Sequence, residues 1–103
     1  MVHWSVQRSN LRLHIAVPVR LEGHCDDGTS FECEAWTLNV SAAGAAFQIP
    51  DGVALPGRIH VRSDDYQFIA DAEVTVVWER TRPQRSIGVR VAPDTPQRAW
   101  QAR

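Results

Sequence analysis

The chain has 103 residues, enough for one domain with a single modest core. Its formal net charge is −1, so it carries no bulk positive field to hold duplex nucleic acid or an anionic membrane surface. Two cysteines are too few for a disulfide framework. The N-terminal MVHWSVQRSN has no apolar run long enough for a signal peptide or a membrane span, so the expected location is the cytoplasm.

Taken in chain order, the first element is a strand. Leu13, Ile15, Val17, Val19 and Leu21 alternate with His14, Ala16, Pro18, Arg20 and Glu22, and Pro18 places that strand at an edge or a bulge. Asp27-Gly28 is a two-residue hairpin turn, leading into a second strand from Ser30 to Ser41. Phe47 and Ile49 mark a short third strand ended by Pro50-Asp51-Gly52, and Ile59 and Val61 mark a fourth that turns at Asp64-Asp65. The fifth is the clearest, with Phe68, Ala70, Ala72, Val74, Val76 and Trp78 on one face, and its partner carries Ile87, Val89 and Val91. Thr95 is an N-cap followed by Pro96 at a first helical position, which predicts a short helix from about residue 95 with Trp100 packed on the body. The expected fold is all-β: a six-stranded antiparallel barrel with a short C-terminal helix.

The Asp27-Gly28 turn predicts a register. Asp26 faces Thr29, and Leu13, Ile15, Val17 and Val19 face Ala42, Val40, Leu38 and Trp36, apolar against apolar. Trp36 and Trp78 then fall on core faces, whereas Trp4 precedes every predicted strand. The outward positions put Arg12 opposite Ala43, His14 opposite Ser41 and Ala16 opposite Asn39. Cys25 faces Ser30 and Cys33 faces Glu22, so the thiols are not a cross-strand pair. His24, Cys25 and Cys33 match no zinc-ligand spacing and no fourth ligand is evident, so no metal is expected.

Arg8, Arg12, Asn39 and Ser41, with the small residues around Gly44, therefore gather outside the barrel. A guanidinium forks onto phosphate oxygens or onto guanine O6 and N7; a carboxamide oxygen accepts from a guanine N–H edge; a hydroxyl donates to phosphate. Small residues let a ligand come close to the main chain. No spacing places a nucleophile beside a base or two carboxylates together, so no catalytic residue is expected. Eight per cent aromatic residues, mostly in core positions, and a net charge of −1 argue against a single-stranded nucleic-acid barrel.

RSNLR (Arg8–Arg12) before the first strand and NVSAAG (Asn39–Gly44) after it resemble, in that order, the R-x-x-x-R and [D/N]-x-S-x-x-G signatures of the PilZ domain. IAVPVRLEG, AEVTVVW and SIGVRV resemble the family's first, fifth and last strands. A second R-x-x-x-R, Arg58 to Arg62, lies inside a predicted strand and reads as a solvated face. The resemblance implies a non-catalytic receptor for the bacterial second messenger cyclic di-GMP, with no other cofactor, divided into a flexible segment 1–12 and a barrel 13–103. It implies that Arg8 and Arg12 contact guanine and phosphate, that Asn39 holds a guanine edge, and that Ser41 contacts phosphate or braces the loop. Gly44 would allow the turn and close approach, with Gln7, Ser9, Ala42 and Ala43 around the rim. Asn39 replaces the commoner Asp by a neutral acceptor. Gln7 stands where the family is often basic, which leaves one or two bound nucleotides open. The signal would pass to a downstream protein as the segment is ordered; the alternative is an interaction adaptor of the same fold whose nucleotide site is vestigial.

Overall fold

The structure, a computed structural model, describes residues 12–102. Seven strands form: β1 (Pro18–His24), β2 (Ser30–Ser41), β3 (Gly44–Gln48), β4 (Arg58–Asp64), β5 (Phe68–Arg80), β6 (Ser86–Val91) and β7 (Trp100–Ala102). Every pairing is antiparallel, in the order β4-β1-β2-β3-β6-β5, and β4 pairs with β5 to close a six-stranded barrel. The six expected strands are all present. Closure removes the free sheet edges that would invite pairing with another chain. The interior is filled by inward side chains from all six strands, with Leu21, Phe47, Val61, Phe68 and Ile87 fully buried.

The predicted C-terminal helix is reduced to one 3₁₀ turn, Gln97–Ala99. A helix of that length is marginal alone, and the sheet offers its residues more. β7 adds to the start of β5, with Ala70 opposite Trp100 and Phe68 opposite Ala102. The Trp100 ring packs edge-on against Phe68, centroids 5.0 Å apart, a favoured aromatic geometry.

The first hairpin is one residue out of the predicted register: Val19 faces Ala35 and Leu21 faces Cys33. The loop is Asp26-Asp27-Gly28, three residues rather than two, because Gly28 takes φ +87° and the Cys25 carbonyl accepts the Gly28 N–H. Asp27 Oδ1 accepts the Thr29 N–H at 2.9 Å, which holds the Asp27 carboxyl below its ordinary range.

That shift reverses two expectations. Trp36 and Leu38 face solvent, at 52% and 40% exposure, while Ala35, Thr37 and Val40 are buried. Both inward and outward runs are reconciled by a bulge. Thr37 pairs with Phe47 and Asn39 with Ala46, so Leu38 is an extra residue without a partner on β3. Without it, Asn39 would share the inward phase of Thr37.

On the other side of β2 the chain before Pro18 is irregular, and a side chain supplies the missing ladder. The buried Thr37 hydroxyl accepts the Val17 N–H at 2.9 Å and donates to the Ile15 carbonyl at 2.5 Å, while the Thr37 N–H donates to the Val17 carbonyl at 3.0 Å. One isolated antiparallel bridge follows at Leu13, which exchanges two backbone bonds with Val40 rather than facing Ala42. Thr37→Val keeps the volume but leaves the Val17 N–H and Ile15 carbonyl without their partner, so we expect a loss of about 1–3 kcal/mol in stability, read from denaturant unfolding.

Candidate functional site

The β2 bulge has a counterpart. Val77 is an extra residue in β5, between the pairs Val76–Val89 and Trp78–Gly88. It turns Trp78 away from the core, so the expectation that Trp78 packs inside fails: strict alternation does not survive a bulge. The two bulges flank the β3–β6 pair from opposite sides. They align one lateral row on the outer wall, Asn39–Ala46–Gly88–Trp78, with Ser41–Gly44–Arg90 as the next row.

Arg12 reaches this wall from the segment before β1. Its Nη1 donates to Asn39 Oδ1 at 2.8 Å, joining the two sequence motifs across 27 positions. Asn39 is neutral, and Arg12 takes part in no ion pair found among the described residues. Among these residues no carboxylate compensates its positive charge. Ser41 Oγ donates to the Gly44 carbonyl at 3.3 Å, spanning the Ala42-Ala43 turn. The same turn is held by the Val91 N–H, which donates to the Ala43 carbonyl at 2.8 Å, and by Trp100 Nε1, which donates to the Ser41 carbonyl at 2.9 Å.

Gly44 does not supply a positive φ. A Cβ added there would land on the Val89 carbonyl oxygen, so its bareness serves the close pairing of β3 with β6. Gly88 is bare for a different reason: its missing Cβ leaves the space occupied by the Trp78 indole. Ala46 is buried although it lies outside the core cluster. The floor of the wall is thus made of small residues, with Trp78 laid over part of it and the Arg80 guanidinium 5.0 Å above the Trp78 ring.

A hollow of about 220 Å³ sits between Arg12, Ser41 and Gly44 on one side and Trp78, Gly88 and Arg90 on the other. A larger, mainly apolar trough of about 640 Å³ adjoins it at the barrel mouth, and the two share Ser41, Ala43 and Arg90. We place the site at the smaller hollow because the polar groups converge there. Arg12, Ser41, Ala43 and Gly44 line it, Asn39 is tied to it through Arg12, and Ala42 faces the trough. Gln7, Arg8 and Ser9 lie outside the described residues.

Sequence reasoning missed Trp78 and Arg90. A signal for both was present in SIGVRV: a glycine in mid-strand marks close approach by another group, and Arg90 shares its face. The second arginine pair lies elsewhere, on β4, where Arg62 meets Glu22 at 3.7 Å. Cys25 and Cys33 are both free thiols, and burial raises the Cys33 pKa. Among the described residues no three of His, Cys, Asp or Glu converge on a common point, and no helix is long and apolar enough to cross a membrane.

A family model, the PilZ domain, matches residues 6–101, nearly the whole chain. The chain belongs to the PilZ family. PilZ domains are cyclic di-GMP receptor modules, non-catalytic as a family, and the closed barrel agrees with that assignment. No curated protein and no solved structure matches the chain. Gly44→Ala tests what the glycine of this PilZ domain is for. We expect the ligand-free protein to lose about 1–3 kcal/mol in urea unfolding, since the added methyl meets backbone that cannot yield; a glycine kept only for a ligand would leave that stability unchanged.

Proposed function

We propose that this PilZ domain binds cyclic di-GMP on the outer wall of β2, β3, β6 and β5, and that binding draws the segment carrying Arg8 onto the same wall. The observation that carries this reading is the Arg12–Asn39 hydrogen bond, which sets a guanidinium without an ion pair among the described residues beside a carboxamide and a serine hydroxyl. Arg12 forks onto a phosphate or a guanine edge. Asn39 receives a guanine N–H, and the Ser41 hydroxyl exchanges its long bond to the Gly44 carbonyl for one to a phosphate oxygen.

Trp78 and Arg90 extend the site on its far side. An exposed indole gives a base a stacking surface, and Arg90 supplies a second positive charge at the same hollow. A volume of about 220 Å³ is below the ~300–1,000 Å³ of pockets that enclose small ligands. A dinucleotide seated there stays largely uncovered until another segment closes over it, and Arg8 lies four positions before Arg12. Closure of that segment is the population shift that offers a new surface to a downstream protein. No chemical step is required of the domain.

Titration calorimetry with cyclic di-GMP should give a submicromolar to micromolar Kd, about −8 to −9 kcal/mol. Arg12→Ala should weaken binding about 10- to 100-fold without loss of the fold, the worth of a hydrogen bond to a charged group. Trp78→Ala should weaken it about 5- to 100-fold through lost stacking. Absence of heat at high micromolar ligand would overturn the reading and leave the interaction adaptor in its place.

A further inference from the structure

We infer that Trp100 is a positioning residue, coupling the C-terminal strand β7 to the nucleotide motif. This inference rests on the proposed cyclic di-GMP site and names how that site is tuned and read out. Trp100 is buried, and its one polar atom, Nε1, points at the motif and donates to the Ser41 carbonyl at 2.9 Å. The bond spans 59 positions of sequence and ties the last strand to the residue where β2 ends. A core tryptophan needs a partner for its N–H, but any carbonyl at the barrel mouth would satisfy it. The carbonyl used is that of Ser41, on the turn that sets the Ser41 hydroxyl beside Arg12 and Arg90.

The other side of the ring explains how such a contact can transmit. Phe68 holds it edge-on at 5.0 Å, and the strand pairing of Ala70 with Trp100 fixes its backbone. A displacement of β7 therefore moves the indole, and the indole carries the Ser41 carbonyl with it. β7 is three residues long, pairs among the described residues only with β5, and is preceded by one 3₁₀ turn. It is the least supported strand of the sheet, an element drawn from the low-stability end of the structure. Linkage makes the coupling reciprocal: a ligand that fixes the Ser41 turn tightens β7, and whatever binds β7 changes affinity at the turn.

Trp100→Phe separates the bond from the packing, since it keeps an aromatic ring against Phe68 and removes the donor. In the absence of ligand, hydrogen exchange of the Ala42–Gly44 amides should speed up at least tenfold in Trp100→Phe. Val74→Ala, a core truncation on β5, should lower the unfolding midpoint without that local change. With cyclic di-GMP, Trp100→Phe should weaken binding about 3- to 10-fold, Val74→Ala should bind within twofold of wild type, and ligand should slow exchange in Trp100–Ala102 of the wild type. Unchanged turn exchange in Trp100→Phe overturns the inference whatever the ligand does. So does equal loss of affinity in the two variants. A wild type that takes no cyclic di-GMP, with the turn exchange altered as expected, overturns the nucleotide reading and leaves the mechanical link of β7 to the turn standing.

Discussion

A closed barrel imposes one phase on its strands: along each, alternate side chains must enter the interior, and the ring of six has no free edge at which an error can be relieved. The candidate site exists because that phase is reset twice. Leu38 in β2 and Val77 in β5 each add one residue on one side of a ladder. The interior keeps its packing, with Thr37 and Val40 buried on either side of the first bulge. The outer wall gains a polar side chain, Asn39, and an aromatic one, Trp78, in a single lateral row. Bulges beside functional sites commonly re-aim side chains in this way.

Small residues between the two bulges follow from the same constraint. Gly44 lets the backbones of β3 and β6 meet, and Gly88 makes room for the reoriented indole. Neither requires a positive φ. The glycine of the NVSAAG motif is therefore explained by the sheet before any ligand is considered. Its neighbours, Ser41 through the Gly44 carbonyl and Ala43 through Val91, are held by bonds that cross from β2 to β3 and β6.

Much of this was legible in the residues. Six strands could be placed because Leu13–Leu21, Phe68–Val76 and Ile87–Val91 alternate cleanly, and the motif pair pointed to one family and one outer cluster. What alternation cannot show is where it is broken. Asp27-Gly28 reads as a two-residue turn, whereas the loop takes Asp26 as well, and this displaced the hairpin register by one. A period of two extended through a shifted pair or a bulge puts Trp36, Leu38 and Trp78 inward, where the structure does not have them. Asn39 and Ser41 face outward as alternation predicts, because the bulge compensates for the shift within three residues. Helix propensity at Thr95-Pro96 lost to the tertiary gain of burying Trp100 in sheet.

The distribution of charge around the barrel has a consequence for encounter with a ligand. In the ring of six strands, β4 lies opposite β3 and β1 opposite β6. The outer surface centred on β1 and β4 gathers Glu22, Glu32, Glu34, Asp71 and Glu73 around Arg20, Arg58 and Arg62, with Arg20 meeting Glu32 at 2.8 Å. Arg90, on β6, stands opposite β1, and Arg12 lies against Asn39 near the end of β2; neither meets a carboxylate among the ion pairs of the described residues. A net charge of −1 thus covers an uneven spread: five carboxylates against three guanidiniums on that flank, and an unpaired Arg90 on the strand opposite β1 among the described residues. Uneven charge of this kind biases the approach of an anion toward the less acidic flank, an effect that salt weakens.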